Sequence, residues 1–239
     1  MSFSKEHVWD KQLDQLAEEM LQAGGCSHPP INAIQLAQNL QIVVAVDASQ
    51  TTRARHKQIR AQPAIFLEPD ERPERMQWAA AHELGETIAW DFFQRIECDS
   101  ESNSNLAEQR EQMANLFAAR ILLPHASFFS DAQTCDDNLI SLKTIYSTAS
   151  FELIAMRLLD RPTPLVVTIF DHNILTRRRG NSGYAAPPLQ ALEKHCQQTA
   201  HQQNQYATYS NSELSVQCFP VHQPDWKREI LLCTPLYEE

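Results

Sequence analysis

One short motif constrains this chain more than any other part of its sequence: the run AAAHELGETI at residues 79–88. Ala81 and Leu84 belong to a helical apolar stripe, and further apolar residues flank it, which predicts a largely buried helix. His82 and Glu86 are four residues apart, so a helix places their side chains on one face. The motif therefore predicts two rigidly held polar side chains at the border of an apolar helix face.

His82, Glu83 and Glu86 form the pattern H-E-x-x-E, which differs in its last residue from the metal-binding pattern H-E-x-x-H. A hydrolytic metal site needs three protein ligands, an open position for water and a base that takes a proton. His82 and Glu86 are therefore candidate metal ligands, and Glu83 is the candidate general base. The alternative interpretation is an ordinary helix turn with two solvated glutamates.

A second helix is expected to supply the third ligand. Residues 105–123 have helical periodicity, and Glu111 begins the inward-facing row that contains Ala118. Asn115 lies one turn after Glu111 and is placed to hydrogen-bond a ligand from outside. Taken alone, Glu111 would more often be a surface residue, but the preceding motif makes it the best candidate for the third ligand.

The composition indicates a globular protein that favours helix over an all-β fold. The 239 residues are 43% hydrophobic and 21% charged, with only 5 glycines. The formal charge of −10 argues against a broad basic surface and therefore against direct nucleic-acid binding. No apolar run is long enough to span a membrane. Six scattered cysteines and a polar N-terminus lead us to expect a cytoplasmic protein without structural disulfides.

The pattern along the chain changes at the sequence RPTP, residues 161–164. We expect an α+β fold in three parts: a domain over residues 1–130, a helix-turn-helix-like pair over residues 131–160, and a small α+β region of unknown role over residues 161–239. Helices are expected at about residues 11–23, 31–40, 73–96, 105–123, 137–146, 150–160 and 189–203. Strands are expected at about residues 41–47, 63–68, 165–170, 173–177, 214–221 and 229–234.

Three weaker patterns have ordinary interpretations. The basic segment of residues 49–60 is predicted to be a solvated loop, and so is the arginine run of residues 177–179. His195, Cys196 and His201 lie on a polar helix and hint only faintly at a metal site. His195 and His201 are not four residues apart, so the helix does not place them on one face.

Two of these segments together resemble the ImmA/IrrE family. The stretch RMQWAAAHELG at residues 75–85 is similar to the start of that family's active-site helix, and EQMANLFAARILLP at residues 111–124 is similar to its second signature. The resemblance covers about residues 10–160. It implies a helix-rich, zincin-like minimal metallopeptidase domain with a short β-sheet. It also implies an enzyme that cleaves helix-turn-helix repressors and so relieves repression of stress or mobile-element genes.

Carried over residue by residue, the resemblance implies that His82 and Glu111 bind zinc, that Glu83 is the general base and that Asn115 supports the ligands. Glu86 stands where the family has its second histidine. A carboxylate still binds zinc, but an anion in place of a neutral imidazole lowers the charge of the site by one and weakens the acidification of bound water. One nitrogen and two carboxylate ligands also favour harder metals such as manganese or iron(II).

Two hypotheses about function follow from the sequence. The first is a cytoplasmic metal-dependent endopeptidase that acts on a helix-turn-helix repressor or a similar regulatory protein. The second is a catalytically impaired relative, metal-free in its extreme form, that binds such a protein as a regulatory module. Both depend on what Glu86 does to the metal site.

Overall fold

The computed structural model describes residues 3–49, 52–59, 62–96, 106–181 and 185–236, and at residues 3–10, 56–59, 88–96 and 106 it describes the backbone alone. The chain divides into two compact units. Unit 1 comprises residues 1–130 and 144–150, and unit 2 comprises residues 131–143 and 151–239. The three-part division at residues 130 and 160 stays a prediction.

The structure is 46% helical and 25% strand, which confirms the α+β class. The helices are α1 (Phe3–Ala23), α2 (Ala33–Asn39), α3 (Pro73–Ile96), α4 (Leu106–Leu122), α5 (His125–Thr134), α6 (Leu139–Ile145), α7 (Phe151–Arg157) and α8 (Ala191–Gln203). The strands are β1 (Val43–Val46), β2 (Ala54–Ile59), β3 (Gln62–Leu67), β4 (Val166–Asp171), β5 (Ile174–Gly180), β6 (Ala207–Ser210), β7 (Leu214–Gln223) and β8 (Trp226–Pro235). No helix among the described residues is long and apolar enough to cross a bilayer.

The helices of unit 1 follow the local signals in the sequence. Leu13, Ala17 and Leu21 are spaced by four residues on α1, and all three are buried. The side chain of Asn32 caps α2 by accepting a hydrogen bond from the backbone N–H of Gln35. The predicted beginning of α1 after residue 10 is wrong, because that helix begins at Phe3.

The small sheet of unit 1 has the strand order β1-β3-β2, with β1 parallel and β2 antiparallel to β3. The prediction of a solvated loop over residues 49–60 is wrong, because Ala54–Ile59 forms β2. This strand lies at the edge of the sheet, where polar and charged side chains are common and no apolar alternation is required. Residues 54–59 form a strand because they hydrogen-bond to β3. The sequence of the segment itself does not indicate this pairing.

The sheet of unit 2 is antiparallel throughout, with the strand order β5-β4-β8-β7-β6. One face of this sheet packs against α8. There Cys196 and Ala200 of the helix share a buried cluster with Val166, Val216 and Leu231 of three different strands. Because side chains alternate along a strand, every second residue of each strand faces α8. The polar residues at those positions therefore face α8 as well.

The sequence-based boundaries in unit 2 need two corrections. The arginine run of residues 177–179 is part of β5 and not a loop. Arg178 donates two hydrogen bonds to the buried carboxylate of Glu193 on α8, at 2.7 and 3.1 Å. Strand β6 of unit 2, and helix α5, whose residues are divided between the two units, were not predicted, because neither carries enough apolar periodicity to be recognised alone.

The five cysteines within the described residues are free thiols, and Cys98 lies outside those residues. A hydrogen bond from the Cys218 thiol to Cys196, together with burial, raises the pKa of Cys218 well above its usual range. Burial and the neighbouring Glu193 carboxylate also raise the pKa of the Cys233 thiol. Both thiols therefore stay protonated at neutral pH and behave as small apolar core residues.

Candidate metal centre on two packed helices

The candidate site lies where α3 and α4 of unit 1 pack closely against each other. Gly85 on α3 permits this approach: a Cβ atom added to it would lie 2.7 Å from the backbone oxygen of Ala114 on α4. On either side of this contact each helix carries a pair of polar residues with four-residue spacing. His82 and Glu86 are the pair on α3, and Glu111 and Asn115 are the pair on α4.

The structure brings the three sequence-predicted ligands together. His82, Glu86 and Glu111 each offer one ligand atom, and these three atoms lie within 4.8 Å of one another. Across the two helices, His82 Nε2 lies 3.6 Å from Glu111 Oε2. The side chain of His82 is 18% exposed and that of Glu111 is 61% exposed. The cluster therefore extends from the buried helix contact to the protein surface.

Asn115 determines which nitrogen of His82 faces the cluster. The Asn115 amide donates from Nδ2 to Glu111 Oε1 at 3.1 Å, so its oxygen faces His82 Nδ1 at 3.2 Å. Since a carboxylate only accepts, this orientation of the amide is fixed, and His82 Nδ1 must be the donor. The lone pair of neutral His82 is then on Nε2, the atom directed at Glu111. A hydrogen bond of this kind is the usual outer support of a metal-binding histidine.

Sequence reasoning missed Arg110, which contacts Glu86, the candidate ligand that differs from the family pattern. Arg110 Nη2 donates a hydrogen bond to Glu86 Oε2 at 3.0 Å, forming an ion pair between α4 and α3. Arg110 directly precedes Glu111, so the same turn of α4 supplies both a cation and an anion to the cluster. The only signal in the sequence was this adjacency of opposite charges, which is common on solvated helices and predicts no specific contact.

The Arg110 guanidinium offsets the charge that Glu86 adds. With neutral His82, two carboxylates and one guanidinium, the cluster has a formal charge of −1. Two histidines and one glutamate would also have a charge of −1. Relative to a histidine at this position, Glu86 still lowers the charge by one, and Arg110 brings the total back to that of a two-histidine site without an arginine. The Arg110 contact is made by Glu86 Oε2, so a metal bound at Oε1 would let one carboxylate serve both cations.

Glu83, the candidate base, follows His82 directly on α3, and only 9% of the residue is exposed. The donor atoms in the cluster, one imidazole nitrogen and two carboxylate oxygens, suit a divalent metal such as zinc, manganese or iron(II). The lone pair of His82 Nε2, fixed by Asn115, is the observation that makes the residues fit such an ion.

An α+β domain in which two packed helices carry this cluster has the layout of a metallopeptidase-like domain. Residues 37–159, just over half of the chain, match the family model Peptidase_M78, the IrrE N-terminal-like domain. The chain therefore belongs to this family, which is metal-dependent. The resemblance to the ImmA/IrrE family and the zincin-like fold that it implies are confirmed.

Comparison with other proteins adds information about the fold. A transcriptional regulator from Mycobacterium tuberculosis is similar in structure, with a TM-score of 0.69 and 18% sequence identity. The match covers 94% of this chain and 76% of that one. No curated protein matches the chain. At this level of identity the structural similarity establishes the fold, and function has to be argued from the site.

Proposed function

We propose that this protein is a metal-dependent endopeptidase that acts on a regulatory protein, in the first instance a helix-turn-helix repressor. The observation that supports this proposal is the convergence of His82, Glu86 and Glu111, whose ligand atoms lie within 4.8 Å of one another. The family to which the chain belongs supports the peptidase class. The repressor as substrate, and a role in stress or mobile-element responses, follow from the resemblance to the ImmA/IrrE family.

In this proposal each residue of the cluster has a defined task. His82, Glu86 and Glu111 would hold the metal, and Asn115 keeps the His82 ring in the orientation that presents Nε2. When bound, a divalent metal would supply a Lewis acid that polarises the scissile carbonyl and lowers the pKa of water. Glu83 would take a proton from the attacking water and deliver it to the leaving amine.

A second function is favoured by the Arg110 contact. A guanidinium at 3.0 Å from Glu86 Oε2 already supplies that carboxylate with a cation. If Arg110 takes the place of the metal instead of supporting it, the site stays empty of metal and the helix pair serves as a rigid protein-binding surface. The protein would then be a catalytically impaired regulatory module that binds the same kind of partner without cutting it.

Metal analysis separates these two functions. The purified full-length protein is incubated with zinc or manganese and then dialysed, and His82→Ala is treated in parallel. The endopeptidase proposal expects the wild type to retain about one more equivalent of metal than His82→Ala. A difference below about a tenth of an equivalent contradicts it and supports the metal-free module.

A series of charge variants tests the role of Arg110 directly. Glu86→His alone leaves two histidines, one glutamate and Arg110 without its Glu86 contact, so the formal charge rises to zero and we expect little gain in metal binding. Glu86→His combined with Arg110→Gln restores the charge of −1 with the family's ligands, and we expect about one equivalent of zinc. If the single variant binds zinc as tightly as the double variant, Arg110 does not balance the site.

Proteolysis tests the chemical role of Glu83. With a repressor encoded beside the gene as substrate, Glu83→Gln should slow cleavage about 100-fold or more while metal content stays unchanged, because loss of a general base typically costs 10²–10⁴-fold. Glu108→Gln, which changes an exposed glutamate on α4, serves as the matched control and should cleave normally. Equal rates for Glu83→Gln and the wild type would remove Glu83 from the mechanism.

We also propose the cytoplasm as the compartment in which the protein works. Free thiols at the five described cysteines suit a reducing environment. Labelling of the cysteines in intact cells with a thiol reagent, followed by mass spectrometry, tests this. Recovery of these cysteines as disulfides would contradict the proposal.

A further inference from the structure

A second cluster of ligand-type side chains lies in unit 2 and is formed by residues outside the range 37–159 that matches the family model. His201 Nδ1 and His222 Nε2 both contact the same carboxylate oxygen, Glu229 Oε1, at 2.8 and 2.5 Å. Their ligand atoms all lie within 4.8 Å of one another. Glu229 is completely buried, and the His222 side chain is 8% exposed. Three elements, α8, β7 and β8, thus place two imidazoles on one buried carboxylate.

The fold of unit 2 explains why these residues meet. In the antiparallel pairing of β7 with β8, Pro220 is opposite Glu229 and His222 is opposite Lys227. Glu229 and His222 are therefore diagonal neighbours on one face of the sheet. That face packs on α8, where Gln197 and His201 are four residues apart and both point toward Glu229. The cluster is thus held by regular secondary structure and not by a loop.

The outer atoms of the cluster are also fixed. Gln197 Nε2 donates to the second oxygen of Glu229 at 3.1 Å and to Asn173 Oδ1 at 2.9 Å. With its oxygen used in this way, Asn173 presents Nδ2 to His201 Nε2 at 3.0 Å. Gln197 and Asn173 therefore occupy the far sides of Glu229 and His201. The position between His201 Nδ1, His222 Nε2 and Glu229 Oε1 is the one that a bound ion could occupy.

We propose that this point is a zinc-type metal site, with His201, His222 and Glu229 as its protein ligands and a fourth position open. A completely buried carboxylate needs hydrogen-bond donors or a cation to compensate its charge, and a bound metal ion supplies full positive charge. Two imidazoles and one carboxylate are a donor set that zinc uses in proteins. The ion would replace the hydrogen atoms that now lie between Glu229 Oε1 and the two rings, and the three side chains would move apart by several tenths of an ångström.

Asn173 gives this proposal a specific test. With a metal on His201 Nδ1, the proton of that ring is on Nε2, and Nε2 then needs an acceptor. Asn173 presents a donor to it, whereas an aspartate at that position would accept from both His201 and Gln197. Asn173 has a positive φ of 65°, a conformation that aspartate also tolerates. Asn173→Asp should therefore tighten zinc binding by about 10-fold or more, in the range typical of such supporting contacts.

The experiment uses the full-length protein in a His82→Ala background, which removes the family-type site on α3 and α4. Zinc affinity is measured by competition against cobalt, whose visible absorption reports a site with imidazole ligands. We expect about one equivalent of zinc, and His222→Gln should weaken its binding by roughly 100-fold or more, because loss of a direct ligand exceeds loss of a supporting contact. His195→Gln changes an exposed histidine of the same helix and should bind zinc unchanged.

Two results would overturn the proposal. One is less than about a tenth of an equivalent of zinc in the His82→Ala background. The other is equal zinc affinity in His222→Gln and His195→Gln. If His222→Gln does not fold, the Asn173→Asp variant decides: tighter zinc binding supports the site, and unchanged or weaker binding shows that the cluster is only a hydrogen-bonded network. Since all of these variants except the background lie in unit 2, the outcome is independent of the proposed peptidase activity.

Discussion

Gly85→Ala is the substitution that most directly tests how the helix packing builds the family-type site. An added Cβ would lie 2.7 Å from the backbone oxygen of Ala114 and 3.0 Å from its Cα. Ordinary contacts begin at 3.4 Å, so α3 and α4 would have to separate by about 0.7 Å. In an open helix the same change stabilises by roughly 0.5–1 kcal/mol, but overpacking against backbone costs about 1–3 kcal/mol. We expect a net loss of about 1–2 kcal/mol.

The same separation should widen the gap between His82 Nε2 and Glu111 Oε2, now 3.6 Å, and so weaken metal binding at that site. Urea unfolding and metal retention measured on one preparation follow both effects. Gln112→Ala, an exposed change on α4, is the control and should alter stability by less than about 0.5 kcal/mol. A Gly85→Ala protein that is more stable than the wild type and binds metal equally well would show that the close packing does not shape the site.

Two further predictions concern ion pairs within each unit. Arg120 is almost completely buried and its Nε lies 3.1 Å from Asp14 Oδ1, so Asp14→Ala should lower the free energy of unfolding by about 3 kcal/mol in urea titrations. A loss below about 0.5 kcal/mol would mean that the pair is not important for stability. Arg178→Met should destabilise unit 2 by a similar amount, because it leaves the carboxylate of Glu193 buried without its cation. Arg179→Met, at the next and exposed position of β5, should have little effect, and equal losses for the two would contradict the pairing argument.

The helices of the family-type site were predictable because their signals are local. Pro73 with the acidic residue that follows it marks the start of α3, and the apolar periodicity on α4 continues to its end. Four-residue spacing then fixes which side chains share a face. The meeting of His82 with Glu111 needed one further assumption, that two apolar helices with such faces pack against each other.

Contacts that depend on distant partners were not predictable in the same way. The edge strand β2 owes its structure to β3, and its own sequence, ARHKQI, is typical of a loop. His201 was noted in the sequence beside His195 and Cys196, but the structure separates the three. Cys196 is in the core, and His195 makes an edge-on ring contact with Tyr209. His201 contacts Glu229, which lies 28 residues later on a strand. Periodicity in the sequence shows which residues of one helix or strand share a face. It does not show that His201 on a helix will meet two diagonal neighbours on a pair of strands.

The identity of the residue at position 86 is therefore an incomplete guide to activity. A metal responds to the summed charge of its surroundings, and a glutamate paired with an arginine contributes no net charge, as a neutral histidine does. Glu86 and Arg110 together can thus replace the family's second histidine electrostatically, although they replace a nitrogen ligand with an oxygen. The remaining difference is the type of ligand atom. An oxygen in place of a nitrogen changes which metal the site prefers, and it changes the charge of the site less. It follows that manganese or iron(II) should be tried before the chain is judged inactive on the basis of zinc.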